Sequence, residues 1–282
     1  MELDAAVVRE AVRRALAEDA AGDDVTTRWS VPADLVGTAT VRAKESGVVA
    51  GLPVAAEAFT QVDPGLRVSA ALADGDRVAP GDALLTVRGP VRAILTGERT
   101  ALNFLQRMSG IATAAAAYVA AVAGLPVRVL DTRKTAPGLR RLDKHAVAAG
   151  GAANHRRDLA AMVLLKENHV AAAGGITAAV AAVRAGMAAE GRDLLVDVEV
   201  ESVAEAAEAL AAGASWLLLD NLPPADLRSV VELRGDRPVT LEASGNVTLD
   251  TIRAIAETGV DAISVGALTH SVRALDLSLL LR

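Results

Sequence analysis

The stretch LLVDVEVESVAEAAEALAAGASWLLLDN, residues 194–221, decides the fold class. It opens on an apolar run of strand length at Leu194–Val200, passes through an Ala-rich helical segment at 202–212 and returns to a second apolar run, Trp216–Leu219. Further runs of this kind lie at Val127–Leu130, Met162–Leu165, Val239–Leu241 and Ala262–Val265, and helical stretches at 176–189, 224–234 and 248–258 separate most of them. Apolar strands alternating with helices imply parallel strands buried on both faces. Six of them in one run predict a closed or nearly closed α/β barrel, with a doubly wound sheet as the alternative.

Upstream the texture differs. Residues 3–18 carry Leu3, Val7, Val8, Ala11, Val12, Ala15 and Leu16 at helical spacing. Gly22-Asp23-Asp24 breaks that pattern, and residues 36–96 read as β structure. Short runs at Thr38–Ala43, Leu66–Ala70, Ala83–Val87 and Val91–Leu95 are punctuated by Asp74-Gly75-Asp76 and Pro80-Gly81-Asp82. Residues 97–123 return to helix, with Leu102, Leu105, Met108, Ile111 and Ala112 as an apolar stripe. Residues 74–89 resemble a lipoyl- or biotinyl-like carrier sandwich. A carrier needs a lysine at an exposed hairpin tip, however, and the only lysine of the β region 36–96, Lys44, sits in an unsuitable Ala43-Lys44-Glu45 setting.

Composition narrows the function. The chain of 282 residues is 52% hydrophobic and only 2% aromatic, which predicts a finely packed aliphatic core. The net charge of −6 argues against a non-specific nucleic-acid binder. Without cysteine there are no disulfides, thiolate metal sites or cysteine nucleophiles. The start Met1-Glu2-Leu3-Asp4 lacks the basic and apolar regions of a signal peptide. Charges interrupt every apolar stretch before the ~20 residues a bilayer requires. No membrane partner and a cytoplasmic location are the resulting expectations.

Polar residues gather where the strands end. Val127–Leu130 runs into Asp131-Thr132-Arg133-Lys134-Thr135, and Met162–Leu165 into Lys166-Glu167-Asn168-His169. Leu194–Val200 carries Glu199, Trp216–Leu219 ends in Asp220-Asn221, Val239–Leu241 in Glu242-Ala243-Ser244-Gly245-Asn246, and the last strand in Gly266-Ala267. In an α/β barrel that rim holds the active site. Between 131 and 169 eight cations (Arg133, Lys134, Arg140, Arg141, Lys144, Arg156, Arg157, Lys166) face four acids, together with His145, His155 and His169. Such a cluster suits an anionic small molecule, since Arg offers a planar fork for carboxylates and Lys a point charge. Arg140, Arg141, Lys144 and Arg157 fit a solvated helix face equally well. Glu199 and Asp220, on two strands of the rim, suit a divalent cation that bridges to phosphates, or stabilisation of a cationic transition state. A salt bridge to a rim lysine is the structural alternative. Ser244-Gly245-Asn246 and Val265-Gly266-Ala267 are small-residue loops after the last two strands, the usual place for a phosphate.

These stretches resemble the quinolinate phosphoribosyltransferase family. The resemblance rests on Gly97–Gln106, Ser109–Thr113, Asp131-Thr-Arg-Lys-Thr-Ala-Pro-Gly-Leu-Arg140, Asn154-His-Arg156, Leu164-Leu-Lys-Glu-Asn-His169, Val198–Val200, Leu219–Asn221, Glu242–Gly245 and Ser264–His270, and Gly22–Thr27 is similar to the family's N-terminal signature. It implies an N-terminal α/β sandwich domain over 1–112, followed by an incomplete α/β barrel over 113–269, with 270–282 packing back on the first. It implies a decarboxylating transfer from phosphoribosyl pyrophosphate to quinolinate, with Mg²⁺ as cofactor. It also implies a homodimer in which Arg99 reaches the partner's site, with higher assembly left open.

In that picture Arg133, Lys134, Arg156 and Lys166 bind the quinolinate carboxylates, and Thr132 and His155 line the pocket. Glu199 and Asp220 face ribose, pyrophosphate and Mg²⁺, while Ser244, Gly245, Asn246, Val265, Gly266 and Ala267 hold the phosphate. Lys134, Glu199 and Asp220 are the candidate catalytic residues. A molybdenum-transport-associated relative is similar around Arg-Lys-Thr-x-Pro-Gly, but the intact Asn154-His-Arg156 and Lys166-Glu-Asn-His169 favour the quinolinate enzymes. Two departures stand out: His145, where the family often has an aromatic residue, and Ala152-Ala153, in a loop usually richer in glycine.

Overall fold

The computed structural model describes residues 3–282, so Met1 and Glu2 of the quoted N-terminus lie outside the described residues. The chain divides into two compact units: residues 3–116, 134–151 and 267–282 form the first, and residues 117–133 and 152–266 the second.

The first unit is built on helices α1 (Ala5–Glu18), α2 (Val25–Ser30) and α3 (Leu52–Val62), and on strands β1 (Val36–Ala43), β2 (Gly47–Val48), β3 (Arg67–Ala70), β4 (Arg77–Val78) and β5 (Ala83–Pro90). Helix α4 (Val91–Ala121) follows directly. The chain later returns to this unit as α5 (Arg140–Ala149). Asp4 caps α1, its carboxylate accepting the Ala6 N–H at 2.8 Å, and Val8 and Val12 turn inward. Asp74 caps α3 from outside, accepting the Gly51 and Leu52 N–H groups at 2.9 and 3.0 Å. On β1, Ala39, Val41 and Ala43 are buried and alternate with half-buried neighbours, as one covered sheet face requires. A register shift at Val41/Arg42 accompanies the burial of both Leu84 and Leu85 on β5.

Two sequence expectations fail here. Val91–Leu95, read as a strand from its branched residues, is the first turn and a half of α4. Ile94 there is buried in step with Ala101, Leu105 and Met108, so the apolar period of the longer helix overrides local β-propensity. Helix α3, placed inside a region read as wholly β, buries Leu52, Val54, Ala55, Ala58 and Phe59 at helical spacing. The boundary expected at 112/113 falls within α4, which runs on without a linker.

The second unit is a parallel α/β array: β6 (Arg128–Leu130), then, past α5, β7 (Val163–Leu165), α6 (Glu167–Ala173), α7 (Ile176–Glu190), β8 (Val196–Val200), α8 (Val203–Ala212), β9 (Trp216–Asp220), α9 (Pro224–Arg234), β10 (Thr240–Ser244), α10 (Ile252–Ala256) and β11 (Ala262–Ser264). The strand order is β6-β11-β10-β9-β8-β7. From β7 to β11 each strand lies beside its neighbour in sequence, and β11 closes back on β6. The ring stays open only between β6 and β7, which is the incomplete barrel. The last elements, α11 (Ala267–His270) and β12 (Leu277–Leu281), belong to the first unit, where β12 pairs antiparallel with β1 in a sheet ordered β12-β1-β5-β3. Gly110 on α4 admits the chain at 273–274, because a Cβ there would overlap the Arg273 carbonyl.

Candidate active site

Strand register assembles the site. Glu199 lies opposite Leu218, and Leu218 opposite Glu242; Asp197 lies opposite Trp216, and Asp220 opposite Ser244. Partners in register point to the same face, and so do residues two apart on one strand. Asp197, Glu199, Trp216, Asp220, Glu242 and Ser244 therefore share one face of the barrel sheet. Alternation hid part of this in the sequence. In Val196-Asp-Val-Glu-Val200 the apolar residues pack outward beneath helices, and the two acids turn inward.

At the rim, Lys166 Nζ lies 2.5 Å from Glu199 Oε2, so the lysine partner named as the structural alternative is present. His169 explains part of its own motif: its Nδ1 accepts the Lys166 N–H at 3.0 Å and ties down the first turn of α6. The Asp220–Asn221 turn is built on a left-handed Asn221 (φ 55), whose amide donates to Asp220 Oδ2 at 2.8 Å and accepts from the Asn246 amide at 3.0 Å. Gly245 (φ 96) permits this contact, since a Cβ would collide with the Asn221 side chain. Ser244 is half-buried and Asn246 is exposed. The Val265 N–H is already donated to Leu130 O at 2.9 Å, which ties it to the sheet, and Gly266 is half-buried beyond it.

Deeper in, Asp131 is fully buried; its Oδ1 accepts the His155 N–H and its Oδ2 the Asn154 amide, both at 2.8 Å. Ala153 bonds to β6 in both directions, donating to Val129 O and accepting from the Asp131 N–H, so the Ala152-Ala153 segment is held like a strand. His155 Nε2 lies 3.1 Å from Glu242 Oε2 and 3.8 Å from Asp197 Oδ2. Glu242 Oε2 also accepts the Trp216 Nε1–H at 2.8 Å. Arg156 donates to Met162 O at 3.1 Å. Burial, and next the Arg133 guanidinium, lower the Arg156 pKa, while Asp197 opposes them. The Arg133 guanidinium lies close enough to disfavour charge on Arg156, and two half-buried guanidinium forks suit an anion carrying more than one carboxylate. Asp197 shifts the other way: burial first, and the neighbouring Glu242 second, hold its carboxyl well above the usual range.

Family models carry the comparison further. "Quinolinate phosphoribosyl transferase, N-terminal domain" matches residues 24–109, and "Quinolinate phosphoribosyl transferase, C-terminal domain" matches residues 111–280. The chain belongs to the quinolinate phosphoribosyltransferase family. It is 45% identical over 283 residues to the carboxylating nicotinate-nucleotide pyrophosphorylase of Mycobacterium leprae, covering 99% of this chain and 98% of that one. It is 46% identical to the chloroplastic enzyme of that name from Oryza sativa subsp. japonica, over 96% of this chain and 77% of the relative. The solved nicotinate-nucleotide pyrophosphorylase of Francisella tularensis superposes with a TM-score of 0.94 at 38% identity, covering 100% of this chain and 98% of that one. NadC from Streptococcus pyogenes gives 0.94 at 39%, over 100% and 99%.

For a member of the quinolinate phosphoribosyltransferase family, the candidate residues distribute as follows. Thr132, Arg133, His155, Arg156, Lys166, Glu199, Asp220, Ser244, Gly245, Asn246, Val265 and Gly266 lie in the second unit. Arg99, exposed on α4, Lys134 and Ala267 lie in the first. The solvated-face reading holds for the exposed Arg141 and Arg157 and fails for Lys144, which is fully buried because α5 turns residues 142–144 inward. His145, the departure from the family's aromatic residue, sets its Nε2 2.8 Å from Asp74 Oδ2.

Sequence reasoning did not single out Asp131, Asn154, Asp197, Trp216, Asn221 or Glu242 as site residues. The available signal was a charge inside or abutting a buried strand, which is costly unless the fold uses it. Glu199 and Asp220 supply hard carboxylate oxygens at the ends of adjacent strands, the donor set that Mg²⁺ prefers in company with substrate oxygens.

Proposed function

We propose that this chain joins quinolinate to phosphoribosyl pyrophosphate and releases nicotinate mononucleotide, pyrophosphate and CO₂. The observation that carries the reading is the Arg133–Arg156 pair, with Arg156 and Lys166 both acting on the buried Asp197, within a fold shared with the family over nearly its whole length. Quinolinate is a dicarboxylate, and two guanidinium forks with an ammonium match its charge and shape.

In this reading Arg133, Arg156, Lys166 and Lys134 fix the ring so that its nitrogen faces the anomeric carbon, and Thr132 and His155 line the pocket. The loops at 244–246 and 265–267 cradle the phosphate. Glu199 and Asp220 hold Mg²⁺, which when bound neutralises the departing pyrophosphate. The same carboxylates stabilise positive charge as it builds on the ribose. Once the nitrogen is bonded to the sugar it becomes cationic, the pyridinium stabilises the electron pair that departing CO₂ leaves on the adjacent ring carbon, and a proton from solvent converts that carbon to C–H. Lys166 first has to exchange Glu199 for a substrate carboxylate, so ligand binding frees the acid that the ribose and metal require. Positioning and charge stabilisation supply the rate, and no enzyme nucleophile is needed.

The active form is a homodimer in which Arg99 of each copy enters the other's site, working in the cytoplasm; among the described residues no single helix is long and apolar enough to cross a membrane.

The test is incubation with quinolinate, phosphoribosyl pyrophosphate and Mg²⁺, with nicotinate mononucleotide followed by chromatography and nicotinate as control. Product from quinolinate alone supports the assignment. Folded protein that forms no product, or that prefers nicotinate, overturns it.

A further inference from the structure

His155 Nδ1 accepts the backbone N–H of Arg156 at 2.7 Å. A ring nitrogen that accepts from an amide carries no hydrogen, so the neutral ring holds its proton on Nε2. That nitrogen faces inward, 3.1 Å from Glu242 Oε2, in the layer where Trp216 Nε1 donates to the same carboxylate oxygen and the Trp216 ring meets His155 edge-on at 5.9 Å. Both imidazole nitrogens are thus directed at protein atoms. Asp131 completes the support by taking the His155 N–H and the Asn154 amide. The ligand atoms of His155, Asp197 and Glu242 lie within 4.8 Å of one another, as a metal would need. A metal on Nε2 with Nδ1 already accepting would require an imidazolate, so the tautomer speaks against a cation there.

We propose that Glu242 and Asp131 are positioning residues that act through His155 to hold the Arg156 loop for carboxylate recognition, and that His155 passes no proton to the substrate. This rests on the reading of the site as a quinolinate pocket.

The first measurement uses the wild-type protein: nitrogen-15 spectra of its four histidines, assigned by substitution. His155 is expected as the Nε2–H tautomer with and without quinolinate, and an Nδ1–H tautomer overturns the proposal. The second is kinetic. Glu242→Gln removes the charge that lies 3.1 Å from Nε2 and should raise the quinolinate KM about tenfold, the scale of one lost interaction with a charged group, with the phosphoribosyl pyrophosphate KM unmoved. His155→Gln, which keeps an N–H near the Nε2 position, should raise the quinolinate KM and retain every ionisation in the kcat pH profile. Loss of an ionisation together with a fall in kcat of ~100-fold or more would make His155 a general acid and sink the idea. Equal shifts in both KM values with a lower melting point would reduce Glu242 to a structural role and also overturn it. If the wild type turns over no quinolinate, the pocket assignment falls, while the spectra still decide the His155 geometry.

Discussion

Two aspartates with no exposed surface, one in each unit, are treated in opposite ways. Asp143 in the first unit receives a two-pronged Arg107 guanidinium at 2.9 and 3.0 Å and the Ala136 N–H at 3.1 Å. Asp197 in the second unit accepts no hydrogen bond among the described residues, and its nearest charged neighbours include another carboxylate, Glu242. A buried carboxylate with every lone pair occupied is a structural joint. One left without donors, with Arg156 and Lys166 among its charged neighbours, costs stability and fits the layer beneath the proposed pocket. The first unit uses the Arg107–Asp143 pair to join helices, whereas the second leaves the Asp197 carboxylate without a donor in the layer of the proposed pocket.

The sharpest way to break this contrast is to truncate Asp143. Asp143→Ala strands the Arg107 fork and should cost about 3 kcal/mol in chemical denaturation; a change below about 1 kcal/mol would erase the distinction between the two aspartates. Next in size, Arg156→Ala should lower kcat/KM for quinolinate by ~100-fold, about 2.7 kcal/mol of lost charged hydrogen bonding, with the melting point nearly unmoved. An unchanged quinolinate KM would remove Arg156 from the pocket.

Asp197 gives a sign rather than a size. Its folded pKa is raised, so the folded state keeps a proton that the unfolded chain has released. Its contribution is favourable below the ordinary Asp pKa and is lost as pH rises towards the folded value. Asp197→Asn should therefore gain stability relative to wild type as pH increases through that window, as read by melting points at stepped pH; a gap that is constant with pH would contradict the shift. Asp24 in the first unit has the opposite sign. Hydrogen bonds from Thr27, and further from Thr96, lower its pKa, so its stabilisation is present above the ordinary Asp pKa and lost as pH falls. Asp24→Ala should cost about 1 kcal/mol at neutral pH, the ordinary value of a helix N-cap, and less in acid.

How much of this was readable beforehand depended on the kind of signal. Arg133, Arg156 and Lys166 stood out because a cation abutting a buried strand has few structural excuses, and their motifs were contiguous. Glu242 and Asp131 were visible as strand-end acids yet gave no hint of their roles, since the atoms they meet, Trp216 Nε1 and the His155 N–H, are 26 and 24 positions away. Asp197 passed unnoticed inside Leu194–Val200, read as one apolar run, because alternation says which residues share a face and not whether that face meets water or a barrel interior. Val91–Leu95 was misread because β-branched residues weigh in a short window, while the helix that claims them declares its period only over 31 residues.

By itself the sequence determined the parallel α/β class of the second half, the β-rich first half, the strand-end cluster and the family, all of which follow from local periodicity and short motifs. The resemblance implied an incomplete barrel and a returning C-terminal segment, but only the tertiary structure decided that the gap lies between β6 and β7, that β12 pairs with β1, that Lys166 already holds Glu199, and that Lys144 is buried. Those outcomes depend on which distant segments meet, and the burial and register that settle them exist only once the chain has closed on itself.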